Sequence, residues 1–494
     1  MTAAFWFELG TVAHFLAAAA ASIHAIRLKR EASSALLWLF LIWSFPFAGA
    51  AVYVVFGIDR IADHAMRRAA AHGAFCGERG ARAEDPLAMA YWRRVREEQA
   101  IAPSSEEAAA LHRAMDALLP DFPLLGGNRI DLLVTGEEAY PRMLDAIRAA
   151  RHHVHLQTFI LANDPVGRRF MDLLVDKASE GVEVRLLYDR FGSTPAIVTG
   201  FLRRYRGRHP NLRLAGWTLA QPLRRQFQVN LRNHRKILVV DGRIAFTGGL
   251  NLSGVNATAD GRPPDRDVHF EVRGPAVHEL QFSFLSDWHF MTAEPVDRLL
   301  RAELFPSLVP EGSTPLRIVN GGPTLDGEVM SDVVFLLLAA ARRRIVLVTP
   351  YFVPPPDILR GLRAASLRGV DVRLLVPQVN NHVYAGLAGR SYYGAVLAAG
   401  GRIFERAPPF MHTKALLIDD GVAMVGTANL DSRSLRLNYE TNLVAMDARF
   451  TSRLDAAIGE EFRRAHEIRP ADWAARPARH QLLERACALL SPIL

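Results

Sequence analysis

The sequence predicts an α/β protein made of two tandem halves behind an apolar N-terminal segment, and three observations predict it. From about position 129 onward, short runs rich in Val, Ile and Leu alternate with amphipathic stretches of helical period, an order that gives sheets covered by helices. That order occurs twice: GVEVRLL at 181 returns as GVDVRLL at 369, an offset of 188, and a His-x-Lys-x4-Asp frame at His234 returns at His412, an offset of 178. Ahead of both, residues 35–58 run 24 positions without a charge, more than the roughly 20 residues that cross a bilayer core. The two halves should therefore superpose about an approximate two-fold axis.

Residues 1–58 are expected to form two transmembrane helices arranged as a hairpin. The first, 3–26, is apolar but holds Glu8, His14 and His24, the two histidines reading as helix-interface residues. A signal peptide is the competing reading; no basic stretch precedes the apolar run, and RLKRE follows it. Two spans would put both chain ends on one side. The side is unspecified, because Arg27, Lys29 and Arg30 in the loop balance Arg60, Arg67 and Arg68 after the second span.

Residues 59–128 read as a helical linker, polar and broken by Pro86, Pro103, Pro120 and Pro123. Its clearest element starts at Ser104, with Glu107 completing a capping box. Trp92 beside Arg93 and Arg94 also suits a lipid interface. The first half, 129–310, runs strand, helix, strand, helix, strand through RIDLLV, EEAYPRMLDAIRAA, HVHLQTFIL, VGRRFMDLLVDKASEG and VEVRLLYD. The second half, 311–494, repeats it through LRIVN, a helix at 331–343, IVLVTPYFV, PDILRGLRAASLRG and VDVRLLVP. Between the first half's last strand and its motif, 191–228 is basic with interleaved aromatics, including RRYRGRHP and Arg224-Arg225. It reads first as a solvated loop, placed where it could approach lipid phosphates. The matching rim of the second half carries His382, Arg390, Tyr392 and Tyr393.

With 494 residues, half of them hydrophobic, the chain can fill two domains and an anchor. A net charge of +8 favours an anionic partner, lipid or nucleic acid, without choosing between them. Two cysteines, Cys76 and Cys487, exclude a disulfide framework and a Cys-rich metal site.

The chemistry concentrates in HRKILVVDGRIAFTGGLNLS (234–253) and MHTKALLIDDGVAMVGTANLDSRS (411–434). Each copy places His, Lys and Asp (His234, Lys236, Asp241; His412, Lys414, Asp419), then Gly248 or Gly426, then Asn251 or Asn429, in register. KILVV and KALLI are strand-like and end in Asp-Gly or Asp-Asp-Gly, so each copy is a hairpin that brings its asparagine back beside the histidine. Lysine supplies charge, asparagine hydrogen bonds, and histidine can attack phosphorus or move a proton, a set suited to a phosphate. Asp241 and Asp419 fall at the turns and read as structural members of the frame. A carboxylate is needed behind each imidazole. Glu440 in LRLNYETNLVA follows His412 by 28 residues and is assigned to it because it resembles the glutamate that pairs with the motif histidine in the phospholipase D superfamily. Asp267 in RDVHFEV, at the comparable strand start, is assigned to His234.

These motifs resemble the phospholipase D superfamily, and RNHRKILVVDGRIAFTGGLN, VTPYFVPP, RSYYGAVLAAGGRIFE and MHTKALLIDDGVAMVGTANLDSRSLRLNYE resemble bacterial cardiolipin synthases over nearly the whole chain, including the two-helix start. The resemblance implies two α/β/α halves facing each other across one active site. It implies a phosphatidyltransferase of the bacterial inner membrane, acting on phosphatidylglycerol or other anionic phospholipids through a phosphatidyl-histidine on His234, with His412 as general acid and base. No metal or cofactor and no nucleic-acid partner are expected. The alternatives are a hydrolase that uses water, a transferase with another donor such as phosphatidylethanolamine, and a membrane-anchored protein that binds anionic lipid without turnover.

Overall fold

The computed structural model describes residues 3–28, 32–54, 70–71, 73, 106–217, 220–221, 226–227, 231–258, 262–323, 329–489 and 491. The expected capping box at Ser104, Trp92 with its flanking arginines, Cys76, Arg60, Arg67, Arg68, Arg224 and Arg225 lie outside the described residues. The chain divides into two units, Met1–Ala69 and Ala70–Leu494.

In the N-terminal unit one long helix, Ala3–Leu28, contains the stretch Glu8–Arg27, which is long and apolar enough to cross a membrane. The expected second span does not form as one helix. It is a helix Ala32–Ser44, a break at 45–47, and a short helix Ala48–Val52. Pro46 has no N–H to continue the ladder, and Phe47 adopts a left-handed φ of 56°. The chain then doubles back on itself: Trp38 packs on Tyr53 with ring centroids 5.3 Å apart, and a Cβ at Gly49 would collide with the backbone of Leu41 and Ile42. Contacts with the long helix fix the depth of the loop. The Phe47 amide donates to Nδ1 of His14 (3.2 Å), while the Tyr53 hydroxyl returns to Nδ1 of His24 (2.8 Å). Both histidines are helix-interface residues, as their sequence context predicts.

The larger unit is organised by one 15-stranded sheet. The first half supplies β1 (Leu125–Val134), β2 (His153–Thr158), β3 (Glu183–Asp189), β4 (Leu212–Trp217), β5 (Ile237–Val240), β6 (Ile244–Gly248) and β7 (Val268–Arg273). The second supplies β8 (Thr314–Gly321), β9 (Arg344–Val348), β10 (Asp371–Pro377), β11 (Arg402–Arg406), β12 (Ala415–Ile418), β13 (Val422–Gly426), β14 (Glu440–Ala445) and β15 (Ala465–Glu467). The spatial order is β15-β11-β10-β9-β12-β13-β14-β8-β1-β7-β6-β5-β2-β3-β4. Read outward from the central β1/β8 seam, the halves run 1-7-6-5-2-3-4 and 8-14-13-12-9-10-11, the same topology twice. Within each half three consecutive strands (β2-β3-β4 and β9-β10-β11) are parallel, with helical crossovers, the motif hairpin is antiparallel, and β15 adds an antiparallel edge to the second half.

The tandem halves of the sequence are thus fused by main-chain pairing, Leu125 opposite Leu316 and Asn128 opposite Thr314, rather than joined by a linker. The first strand starts at Leu125, inside the stretch read as linker. The core crosses the seam: Phe270 of the first half meets Phe450 of the second, with ring centroids 5.9 Å apart, in a cluster that also holds Leu280, Leu285, Leu417 and Leu443. A rigid shared sheet matters for chemistry, because it fixes residues from both halves relative to one another.

Candidate active site

Each motif residue is placed by its hairpin. Asp241 and Asp419 sit at the turns with left-handed φ of 52° and 51°, a conformation Asp tolerates better than most residues. Asp241 accepts from the backbone amides of Arg151, His152 and His153 (2.8–2.9 Å), and Asp419 from those of Arg342, Arg343 and Arg344. These carboxylates tie each hairpin to the start of the neighbouring parallel strand. They are occupied by these amides at the turn, away from the histidine end of the hairpin.

His234 and Lys236 lie just before β5, and His412 and Lys414 just before β12, so the pairs occupy extended chain rather than the strands themselves. Each lysine folds back on its own motif: Nζ of Lys236 donates to the His234 carbonyl at 2.8 Å, and Lys414 does the same to the His412 carbonyl.

The carboxylates are exchanged between halves. Nδ1 of His234 stands 2.9 Å from Oε2 of Glu440, and Nδ1 of His412 stands 2.7 Å from Oδ2 of Asp267. This reverses the pairing inferred from sequence order, and the reason is in the backbone. The His234 amide donates to the Tyr439 carbonyl (2.9 Å) and the Tyr439 amide to the Arg232 carbonyl (2.9 Å). In the other half the His412 amide donates to Arg266 (2.7 Å) and the Arg266 amide to Phe410 (2.8 Å). Each segment that enters β7 or β14 therefore lies alongside the opposite motif, and its acid arrives with it.

The glycines of the frame make this approach possible. Gly248 (φ 148°) and Gly426 (φ 155°) lie so close to β7 and β14 that a Cβ would strike His269 and Val268, or Asn442 and Thr441. At Gly249 a Cβ would occupy the place of the Asp267 carboxylate itself.

The site is closely packed but not sealed: the His234 and His412 side chains keep 10% and 16% exposure, against 0% for Glu440 and Asp267. Burial, with Lys236 and Lys414 beside it, holds His234 well below its ordinary pKa. Burial and Lys414 bring His412 down to about 4. Burial lowers Lys236 to about 7 and Lys414 to about 8, and raises Glu440 to about 7. For Asp267, burial would raise the pKa, but Lys414 and His412 together outweigh it and hold the carboxyl below its usual range. An anionic phosphate between the two lysines would restore their charge and lift the imidazoles with them.

Asn251 accepts from the Ile160 amide through Oδ1 (3.1 Å), a structural use. Oδ1 of Asn429 is buried and lacks a hydrogen-bond partner among the described residues, beside Lys414 in the lining of one small cavity. Two aromatic residues that the motif reading did not select complete the site. Phe159 packs edge-on to His234 (centroids 4.9 Å), and Tyr351 edge-on to His412 (6.4 Å). They follow the second strand of each half, in HVHLQTFIL and IVLVTPYFV, so the duplication itself was the available signal. Beneath His234, Asp287 accepts from Arg235 (2.8 Å), Asn233 (2.9 Å) and Gln157 (2.8 Å), and Arg235 also reaches the Glu440 carbonyl (3.1 Å). The second motif has Met411 and Thr413 at the positions of Asn233 and Arg235.

Two histidines and two lysines held by a duplicated α/β sheet define a phospholipase D-like phosphotransfer fold. A model described as the cardiolipin synthase, phospholipase D-like domain matches residues 143–288 and 334–462, and a phospholipase D-nuclease N-terminal model matches 16–57. The chain is 34% identical over 474 residues to a cardiolipin synthase of Geobacillus thermodenitrificans (94% of this chain, 90% of that one). It is 36% identical over 485 residues to cardiolipin synthase A of Pseudomonas aeruginosa (96% and 93%). The crystal structure of a phosphatidylserine synthase from Haemophilus influenzae shares the fold, with a TM-score of 0.60 at 16% identity over 78% of this chain and 99% of that one. The chain belongs to the cardiolipin synthase family of phospholipase D-like phosphatidyltransferases. The N-terminal match and the apolar Glu8–Arg27 helix fit a membrane protein.

Proposed function

We propose that the protein is a membrane-anchored cardiolipin synthase that moves a phosphatidyl group from one phosphatidylglycerol to a headgroup hydroxyl of another and releases glycerol. The exchanged His–carboxylate pairing carries this reading, because it supplies two oriented imidazoles and two lysines to one phosphodiester. The names of the relatives supply the lipid.

His234 forms a P–N bond through Nε2, the nitrogen its carboxylate does not engage, as the P–O bond to the departing glycerol breaks. His412 donates the proton that this alkoxide takes up. The neutral His412 then accepts a proton from the incoming hydroxyl, whose oxygen attacks phosphorus and displaces His234. Lys236 and Lys414 stabilise the charge that builds on the phosphoryl oxygens. The two carboxyls differ in a way that favours these roles. Asp267 is ionised and supports an imidazolium on His412, whereas Glu440, near 7, holds a weaker negative charge against His234 and leaves it neutral for attack.

For the anchor, helix Ala3–Leu28 crosses the bilayer and residues 32–54 enter and return. Phe47 lies level with His14 and Tyr53 with His24, ten residues or about 15 Å apart, half of a hydrocarbon core of about 30 Å. The segment is a re-entrant loop and the protein crosses the membrane once.

Purified protein incubated with headgroup-labelled phosphatidylglycerol should yield cardiolipin and free glycerol. Phosphatidic acid without cardiolipin would identify a hydrolase instead, and no product would identify a lipid-binding protein.

A further inference from the structure

The segment between β3 and β4 encloses a cavity of about 360 Å3, lined by Arg190, Arg203 and Arg206 together with Tyr188, Val198 and Leu202. Its volume falls within the range of about 300–1,000 Å3 usual for ligand sites. The three arginines along this lining are exposed to solvent, and none has a carboxylate partner among the described residues. The nearest acids are engaged elsewhere. Asp189 accepts from the amides of Phe191, Gly192 and Asn233, and Asp172 pairs with the Tyr205 hydroxyl at 2.9 Å. Like charges gathered without counterions cost free energy that a bound anion offsets. Val198 in its lining is 80% exposed, apolar surface suited to the chain-bearing end of a lipid.

The cavity adjoins the C-terminal end of β3, the strand end that also holds the first motif. Asp189 ends β3 and holds the amide of Asn233, next to His234, and Arg190 follows it directly. The corresponding segment of the second half, after β10, also borders a cavity, of about 230 Å3, but Arg390 there is neutralised by Glu405 and Glu484. The duplicated halves therefore differ in charge at equivalent places.

Transfer between two anionic lipids has a matching asymmetry. The donor's phosphorus meets the histidines, while the acceptor reacts through a hydroxyl and keeps its own phosphodiester, with its charge, throughout. We infer that the Arg190/Arg203/Arg206 cavity binds the phosphodiester of the acceptor lipid. This rests on the transferase reading above and adds to it the site that selects an anionic acceptor.

Two reactions of the full-length protein separate acceptor binding from donor chemistry. Exchange of labelled free glycerol into phosphatidylglycerol uses an acceptor without a phosphate, whereas cardiolipin formation uses one with it. In Arg203→Ala/Arg206→Ala the ratio of transfer to exchange should fall at least about tenfold, the loss expected for charge-assisted contacts. An unchanged ratio overturns the inference, even if both rates fall together. Binding is read separately on the inactive His234→Ala protein, by 31P NMR titration with glycerophosphoglycerol and with inorganic phosphate. Saturable binding of glycerophosphoglycerol that is lost in the added arginine variants supports a headgroup site. Tighter binding of inorganic phosphate makes it a free-phosphate site and overturns the acceptor assignment. A wild type that exchanges glycerol but forms no cardiolipin refutes the cardiolipin synthase reading, and the titration still decides whether the cavity takes a phosphodiester.

Discussion

Oε2 of Glu440, a residue of the second half, stands 2.9 Å from Nδ1 of His234 in the first, and the reciprocal pair, Asp267 and His412, closes at 2.7 Å. Neither half contains a complete histidine–carboxylate pair. The active site is a product of the β1/β8 seam as much as of the motifs, and mutating the acids should expose how unequal the two pairs are. Asp267→Asn removes a buried ionised partner from both His412 and Lys414, and kcat should fall about 10^3–10^4-fold. Glu440→Gln replaces a group only about half ionised at pH 7, and about 10–100-fold is expected. Equal losses in steady-state assays of the two folded variants would contradict the asymmetry.

Much of this arrangement was legible in the sequence, and the parts that were not have physical reasons. GVEVRLL and GVDVRLL, with the paired His-x-Lys frames, gave the duplicated α/β order directly, because a strand buried on both faces needs an apolar run wherever it occurs. Glu440 and Asp267 could be recognised as the supporting acids, but not their exchange, since proximity in sequence says nothing about which half a strand entrance packs beside. The break at Phe45–Phe47 was hidden for another reason. A hydropathy count records that 35–58 is apolar and takes no account of Pro46 ending a helix halfway.

The turn aspartates should govern stability rather than chemistry. Each accepts three backbone amides, so Asp241→Ala or Asp419→Ala strands those donors and forces Ala into a left-handed conformation. The expected loss is about 2–4 kcal/mol, seen as a lowered Tm. The activity of whatever fraction remains folded should change less than about threefold. A large fall in kcat without a fall in Tm would assign these residues a catalytic role instead.

Acid should weaken the first half through histidines that take no part in catalysis. His153 and His155 are buried residues of β2, held against Gln281 and the Arg185 guanidinium. Burial first, then neighbouring histidines and Arg185, holds both well below 6.5 in the folded protein. The unfolded chain therefore binds protons first as pH falls. The stability tied to these neutral imidazoles is fully present above about pH 6.5 and lost below it, by up to about 1.4 kcal/mol per pH unit for each group. Thermal unfolding between pH 7.5 and 5.5 should show a falling Tm, with a shallower slope in His155→Gln.

Membrane topology separates the re-entrant loop from two full spans. With Cys76 and Cys487 replaced by serine, single cysteines at Thr2, Ser33 and Asp59 can be challenged with an impermeant maleimide from each side. Positions 33 and 59 should label from one side and position 2 from the other. Positions 2 and 59 on the same side, opposite 33, would establish two spans. Gly49→Leu adds a structural control, because only a folded-back segment places that residue against Leu41 and Ile42. It should destabilise the inserted protein, whereas a straight second helix would tolerate it.

The division of labour between the two histidines is the most exacting test. The nucleophile has to be neutral and firmly held. His234 faces Glu440, whose pKa near 7 limits its negative charge, and its flanking residues Asn233 and Arg235 are bound to Asp287. His412 faces the ionised Asp267 and has only Met411 and Thr413 beside it, which suits an imidazole that must gain and lose a proton as the phosphate comes and goes. His412→Ala should therefore still form a phosphatidyl adduct, slowly, because the attacking nitrogen remains and only proton donation to the leaving glycerol is lost. His234→Ala should form none. Since phosphohistidine bonds are cleaved by acid, the adduct is to be trapped by neutral denaturation and mapped by mass spectrometry. An adduct on His412 in the His234→Ala protein would exchange the two roles. Adducts in both variants would mean that the near-symmetric site lets either imidazole attack when its partner is removed.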